Sequence, residues 1–347
     1  MIETMIAGGT LAQRVQRIQD ALRRAGLSPI DMRRAGTLET DVLLPQMPMD
    51  GSILPPEIEL LEGPIEHRLI VRKNETQFSW FIDGSQKTMP VWRIGVVPIV
   101  VSIVVAGVLE RDDAGGCTLL PGSLTETISW IVPQQTGDRD IRTLVDVLES
   151  LGQEVYDPLD GQDNYQQLAG MYDQVLLYAN ETAGKTRERA ELRAVRFWEE
   201  SAAPQRTDRW LVVDGQLTAD LPNAIGFIKD PGRAHLVGDD AMTLLSLPPG
   251  HRTTAFRTAS RARARTHWYQ RMWPAEGLDA RHALIRIEAS GDMSDPDEID
   301  AIASWLMAER VPRPTSDSRW PTLLYPVHIL ERILKRRINQ ITTGWPV

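Results

Sequence analysis

Two stretches of this chain put an aspartate and a glycine behind an apolar run: Phe78-Ser79-Trp80-Phe81-Ile82-Asp83-Gly84-Ser85 and Trp210-Leu211-Val212-Val213-Asp214-Gly215. A strand that ends on a carboxylate holds it at the rim of a sheet, on a rigid base. The glycine that follows lets the backbone turn, or approach a ligand closely, because it has no Cβ. One Asp-Gly is an ordinary turn. Two, each behind an apolar strand, suit a divalent metal, since magnesium and manganese are hard cations that take oxygen ligands. Two-metal phosphoryl chemistry needs several carboxylates converging on ions about 3.5–4 Å apart. Asp83 and Asp214 supply two. A third is expected on an element that crosses beside them. Glu191, next to the small Ala190 on a long polar helical stretch, has that placement, although a surface ion pair with Arg187 accounts for it equally well. Glu110, at the far end of an apolar run, is its rival. Lys229 follows another apolar strand, as a phosphate-orienting lysine or a solvated strand-end lysine would. His328, at the start of the last helix, is placed for proton transfer or ligation, though a lone histidine is more often structural.

A different chemistry is suggested by residues 241–275, which contain no acid and hold six arginines. Arg257, Arg261, Arg263 and Arg265, with Trp268 and Tyr269, read as a nucleic-acid track in which cations meet phosphates and rings stack on bases. The plainer reading is an arginine-rich outer face. Because the whole chain has a net charge of −9, any nucleic-acid surface must be a local basic patch on an acidic body.

The elements that must position these residues follow from periodicity. Leu11, Val15, Ile18 and Leu22 mark a helix over residues 10–24, with Gly26 as its stop. Residues 27–65 are rich in proline and methionine and read as an extended connector. Residues 95–109 are β-branched almost throughout, which predicts a strand buried on both faces at the centre of a sheet. The Asp-Asp-Ala-Gly-Gly run at 112–116 predicts a hairpin turn after it. Helices are expected over 140–151, over 164–200 with a break near Gly184, over 296–308 and over 327–338. Strands are expected over 209–213, 224–228 and 282–287. The domain division this implies is an N-terminal helix and connector (1–65) and an α/β domain (66–347) with a helical insertion at about 139–200.

The single cysteine, Cys117, excludes an intrachain disulfide and gives no zinc cluster, which fits a reducing cytoplasm. Met1–Gly9 lacks the features of a signal peptide. The most apolar segment, Ile94–Leu109, contains Pro98 and is shorter than the roughly 20 apolar residues of a membrane span. A soluble, cytoplasmic protein with no membrane partner is expected.

Taken together, the apolar strand with Asp83-Gly84-Ser85, the second strand with Asp214-Gly215 before a strand ending in Lys229, and Tyr325-Pro326 opening a C-terminal helix resemble the NurA nucleases. The resemblance covers roughly residues 76–340. It implies an α/β fold with an RNase H-like mixed sheet core flanked by helices, manganese or magnesium as cofactor, DNA as substrate and a homodimer. It also implies a HerA-type hexameric ATPase as partner, in DNA end processing or anti-phage defence. Carried over by position, Asp83 and Asp214 are metal-binding aspartates and Glu191 the helical glutamate. Where the family has a histidine a turn or more into its last helix, this chain has His328, three residues after Tyr325. The expectation is therefore a metal-dependent deoxyribonuclease. The alternative is a catalytically silent clamp or adaptor that docks on a DNA translocase.

Overall fold

In the computed structural model, residues 9–31, 57–73, 75–205, 208–218, 220–229, 235–258, 264–312 and 319–345 are described. The first half runs α1 (Leu11–Arg24), β1 (Ile30–Asp31), β2 (Ile58–Leu60), β3 (His67–Leu69), β4 (Phe78–Ile94), β5 (Val97–Arg111), β6 (Cys117–Leu119), β7 (Thr125–Ile131), α2 (Arg139–Ser150) and β8 (Glu154–Tyr156). The second half runs α3 (Tyr165–Ala169), α4 (Tyr172–Ser201), β9 (Trp210–Asp214), β10 (Ala224–Ile228), α5 (Gly238–Leu245), β11 (His251–Thr253), β12 (Phe256–Thr258), β13 (Arg265–Arg271), β14 (Leu284–Ser290), α6 (Pro296–Ala308) and α7 (Tyr325–Ile341).

All the strands join one mixed sheet, whose main path is β2-β12-β13-β14-β10-β9-β4-β5-β7-β8. Its spine is the hairpin β4–β5. The β-branched run of β5 is buried over its first thirteen residues and pairs with β4 along nearly the whole of both strands. A strand buried on both faces needs such side chains, because packing on a pleated surface offsets the ordering of a long segment. β7 extends the meander antiparallel to β5. On the other side β9 runs parallel to β4, and β10 parallel to β9.

Helices cover both faces. Buried apolar residues of α1, α2, α6 and α7 share one core with Phe81, Val105, Leu109, Val212 and Phe227. Across the sheet, Ala194, Val195 and Trp198 of α4 pack on Trp80, Ile82, Val108, Leu211 and Val213, and Ala190 packs on Val104 and Ala106. The α1 helix is fixed at its start by a capping box between Thr10 and Gln13, and Leu11, Val15, Ile18 and Leu22 are buried. It is thus part of the main core. Among the described residues no helix is long and apolar enough to cross a membrane.

Two expectations about local structure change. The strand bearing Asp83 does not end there: β4 continues through Gly84 and Ser85 to Ile94, because β5 supplies ladder partners along its length. The long helical region breaks at Gly170-Met171, and α4 then runs unbroken through Gly184. A glycine inside a helix weakens it by about 1 kcal/mol, which the packing of a 30-residue helix on β4, β5 and β7 readily outweighs.

Candidate functional site

Strand register brings the two aspartates together. β4 and β9 pair in parallel with Phe81 opposite Val212 and Ile82 opposite Val213, so Asp83 and Asp214 come next, level with each other on neighbouring strands. Alternation along each strand decides the face. Phe81 and Val212 belong to the core under α6 and α7, whereas Ile82 and Val213 belong to the core under α4. Asp83 and Asp214 therefore project to the α7 side. Phe227 of β10 lies opposite Asp214 and on the same face, so Lys229, two residues further on, shares it. Its Nζ is 2.5 Å from Asp214 Oδ2, and both side chains are about 15% exposed.

Asp83 is nearly inaccessible at 7% exposure, and its Oδ1 accepts a 2.8 Å hydrogen bond from the Gly84 amide. Its carboxyl is held well above the ordinary aspartate range, first by burial and then by the negative charge of Asp214, against the pull of Lys229; Glu191 and Glu331 push the same way. Four carboxyl groups thus share one electrostatic environment. An uncompensated group of buried acids is unfavourable unless they protonate or meet cations.

Glu191 approaches from the other face. It lies on α4 over Gly84, and a Cβ added at Gly84 would fall 2.5 Å from Glu191 Oε1. The missing side chain at position 84 therefore admits a helix carboxylate to the strand, rather than making a turn. Glu191 pairs with Arg187 at 3.3 Å, yet burial pushes its carboxyl up to about 7, with Asp214 and Glu188 adding to the effect of desolvation.

A fourth acid escaped the sequence reading. Glu331, on α7, is 7% exposed; Arg319 Nη2 and Lys335 Nζ each lie 2.7 Å from its Oε1, and its Oε2 is buried without a hydrogen-bond partner. Despite burial, those two cations hold its carboxyl below the usual glutamate range. The signal was available: Val327, Leu330, Leu334 and Ile338 form the buried stripe of α7, and Glu331 interrupts it. His328, one turn earlier, is half-buried, with an unpartnered, buried Nδ1. Glu110 lies opposite Trp80 in the ladder and lines a separate cleft of about 240 Å³ with Trp80, Leu120 and Phe197.

The expected nucleic-acid track is not built as its residue types suggested. Trp268 and Tyr269 are fully buried, Trp268 in the main core and Tyr269 in the cluster under α5. They belong to β13, an inner strand between β12 and β14, so neither ring is available to stack on a base. Arg257 pairs with Glu59 at 2.9 Å and Arg265 with Asp220 at 2.9 Å. Arg252 is buried between Glu62 and Asp300, and Arg271 donates to backbone carbonyls of Leu245, Leu247, Ala280 and His282. The block's lack of acids is local to the sequence; acids arrive from elsewhere in the fold. Arg261 and Arg263 lie outside the described residues.

The donor set fits a hard cation by type: all four are carboxylates, two stand side by side, and one buried oxygen lacks a partner. Magnesium-like ions commonly take only one or two protein carboxylates, the remaining positions going to water and substrate phosphate. Among the described residues, however, no group of three or more His, Cys, Asp or Glu side chains is disposed to hold a metal ion. Neither a search of family models nor one of curated proteins gave a match to this chain.

Proposed function

We propose that this chain is a metal-dependent DNA nuclease of the NurA type, hydrolysing phosphodiesters in the cytoplasm as a homodimer beside a HerA-type hexameric ATPase. One observation carries the reading: Asp83 and Asp214 stand level on adjacent parallel strands, Asp83 buried and Asp214 largely covered, with Lys229 Nζ 2.5 Å from Asp214 Oδ2. The strand order around them is consistent with an RNase H-like core. The antiparallel meander β4-β5-β7 is extended on the β4 side by β9 and then β10, both parallel to β4.

Asp83 and Asp214 would hold a manganese or magnesium ion, with Glu191 the expected third carboxylate. Such an ion, when bound, stabilises charge on a phosphoryl oxygen and lowers the pKa of water. The chain's own residues do the rest. Burial of Asp83 under α7 keeps bulk water from its carboxylate, which strengthens its attraction for a cation. Lys229 neutralises Asp214 in the resting arrangement and carries the positive charge nearest the aspartates, where it can orient a phosphate. Gly84 keeps space for Glu191 against the strand.

The non-catalytic clamp is favoured by a specific observation as well: Lys229 already satisfies Asp214, and no three-acid ligand set is assembled among the described residues. Incubating the purified protein with linear DNA and Mn²⁺, alone and with a HerA-type hexamer, separates the two. The nuclease reading requires cleavage that chelation stops and that Asp83→Ala abolishes. A protein that binds the hexamer but never cuts DNA is the clamp.

A further inference from the structure

We propose that the outer faces of α1 and α7 form one basic surface that holds the phosphate backbone of DNA, in place of the arginine block at 251–273. The inference takes its partner from the proposed function and names where that partner lies on the chain. Charge distribution among the helices is the first observation. α1 carries four arginines and one acid, Asp20; α7 carries three arginines, one lysine and one acid, Glu331, which is buried. Among the described helices the others are neutral or acidic: α4 holds six acids and five bases, and α6 three acids and no base. In a chain of net charge −9, a surface with such a basic excess is a local exception. The two helices are remote in sequence but meet in space. Glu126 of β7 pairs with Arg337 of α7, and Arg14 of α1 feels the charges of both Arg17 and Glu126. Just beyond α7, a Cβ added at Gly344 would fall 3.8 Å from that of Ala12.

The positions that face solvent are the ones left without acids. Leu11, Val15, Ile18 and Leu22 turn one side of α1 inward, and Leu330, Leu334 and Ile338 do the same for α7. Arg17 and Arg24 on α1, and Arg332 and Arg336 one turn apart on α7, are exposed, and among the described residues none of the four is ion-paired to an acid. In the 251–273 block, by contrast, Arg252, Arg257 and Arg265 already have acidic partners. Guanidinium groups held outward in this way match phosphate in charge and geometry. The kind of polyanion follows from what else the surface lacks. No large apolar side chain is exposed on α1 or over residues 326–341. A docking protein would call for aromatic or apolar anchors, and a membrane for an apolar helix face, whereas a phosphate backbone needs only cations and polar donors. Asn339 and Gln340, exposed beside the arginines, add neutral donors. Because α7 packs on the sheet face that carries Asp83 and Asp214, DNA held on it stays on the same side of the sheet as the proposed site.

The test reads DNA binding in EDTA, without metal or turnover. Affinity of the full chain for a labelled DNA oligonucleotide is followed by fluorescence anisotropy from about 50 to 200 mM salt. The test variant replaces Arg17, Arg24, Arg332 and Arg336 by alanine together. The control replaces Lys185, Arg193, Arg196 and Arg281, an equal loss of charge at other exposed positions. The test variant should bind at least about tenfold more weakly at low salt and flatten the log–log salt slope by about 3 units, since each phosphate contact contributes about 0.7–0.9. The control should stay within about threefold of wild type, because distant exposed charges are screened. Equal losses in both variants, or an unchanged affinity and slope in the test variant, overturn the assignment. So does displacement of the DNA by polyglutamate at equal charge, which would make the surface a dock for an acidic protein segment. If the fourfold variant does not fold, the two double variants, one per helix, are measured instead, and each should flatten the slope by about half as much. Since no metal is present, the result is independent of cleavage: a chain that loses DNA in the test variant but never cuts it keeps this surface and abandons the nuclease.

Discussion

Glu191→Gln should stabilise the metal-free protein at pH 8 and leave it unchanged near pH 4.5. The carboxyl is only 14% exposed and is pushed from 4.5 to about 7, which disfavours its charged form by about 3 kcal/mol. That figure already includes the attraction of Arg187. The direction follows from proton counting. Between pH 4.5 and 7 the folded chain holds a proton on Glu191 that the unfolded chain has lost. Stability from this group is therefore complete below about pH 4.5 and disappears as pH rises through about 7. Glutamine mimics the neutral carboxyl at every pH. The variant should gain about 3 kcal/mol over wild type at pH 8 and nothing near pH 4.5. Urea unfolding followed by circular dichroism at both pH values measures this directly. Destabilisation at pH 8 would refute the reasoning, since it would mean the ion pair with Arg187 outweighs burial. Equal stabilisation at both pH values would also refute it, because the effect would then not arise from the charge.

Other consequences are equally concrete. Gly84→Ala should destabilise by about 1–3 kcal/mol, because the new Cβ would fall 2.5 Å from Glu191 Oε1 and 2.9 Å from Arg187 Cγ and both helix side chains must move; pairing it with Glu191→Ala should recover only part of the loss in urea melts. Trp268→Ala should cost about 3–5 kcal/mol as a core truncation, with no selective loss of DNA affinity in fluorescence anisotropy on whatever folded protein remains; a stable variant that only loses DNA would return this ring to the DNA path. His235, stacked on His267, is held at about 4 by burial and by Arg286, so its contribution is present above about pH 6.5 and is lost as pH falls towards 4. The urea midpoint of wild type should fall more across that window than that of His235→Gln, and parallel curves would contradict the assignment.

The sequence revealed most where local pattern and tertiary demand agree. The stripe Leu11-Val15-Ile18-Leu22 marked α1, the helix expected over 296–308 is α6, and the β-branched run marked β5. Asp83 was found for its chemistry but placed at the wrong point of its strand. Asp-Gly signals a turn locally, and only the non-local partner β5 keeps the strand extended. The same non-locality hid the environment of the arginines: Glu59, Glu62, Asp220 and Asp300 are remote in sequence and adjacent in space. Lys229 stood out at the end of an apolar strand, but its place on Asp214 follows from the parallel pairing of β9 with β10, which is non-local. Glu331 could have been noticed, because an acid in an apolar helical stripe breaks the pattern, but its relation to Asp83 depends on how α7 crosses the sheet. Nothing in the sequence fixes that crossing.

A metal-dependent nuclease requires Asp83 and Asp214 to form one cation site. Mn²⁺ binding should be measured on the isolated protein by electron paramagnetic resonance, for wild type, Asp83→Asn, Asp214→Asn and Lys229→Ala, with cleavage of linear DNA followed in the same samples. Wild type should sequester Mn²⁺ and both asparagine variants should leave it free and be inactive, while Lys229→Ala should bind the ion at least as tightly, because Asp214 loses its competing partner. Full Mn²⁺ binding in either asparagine variant would contradict the central claim.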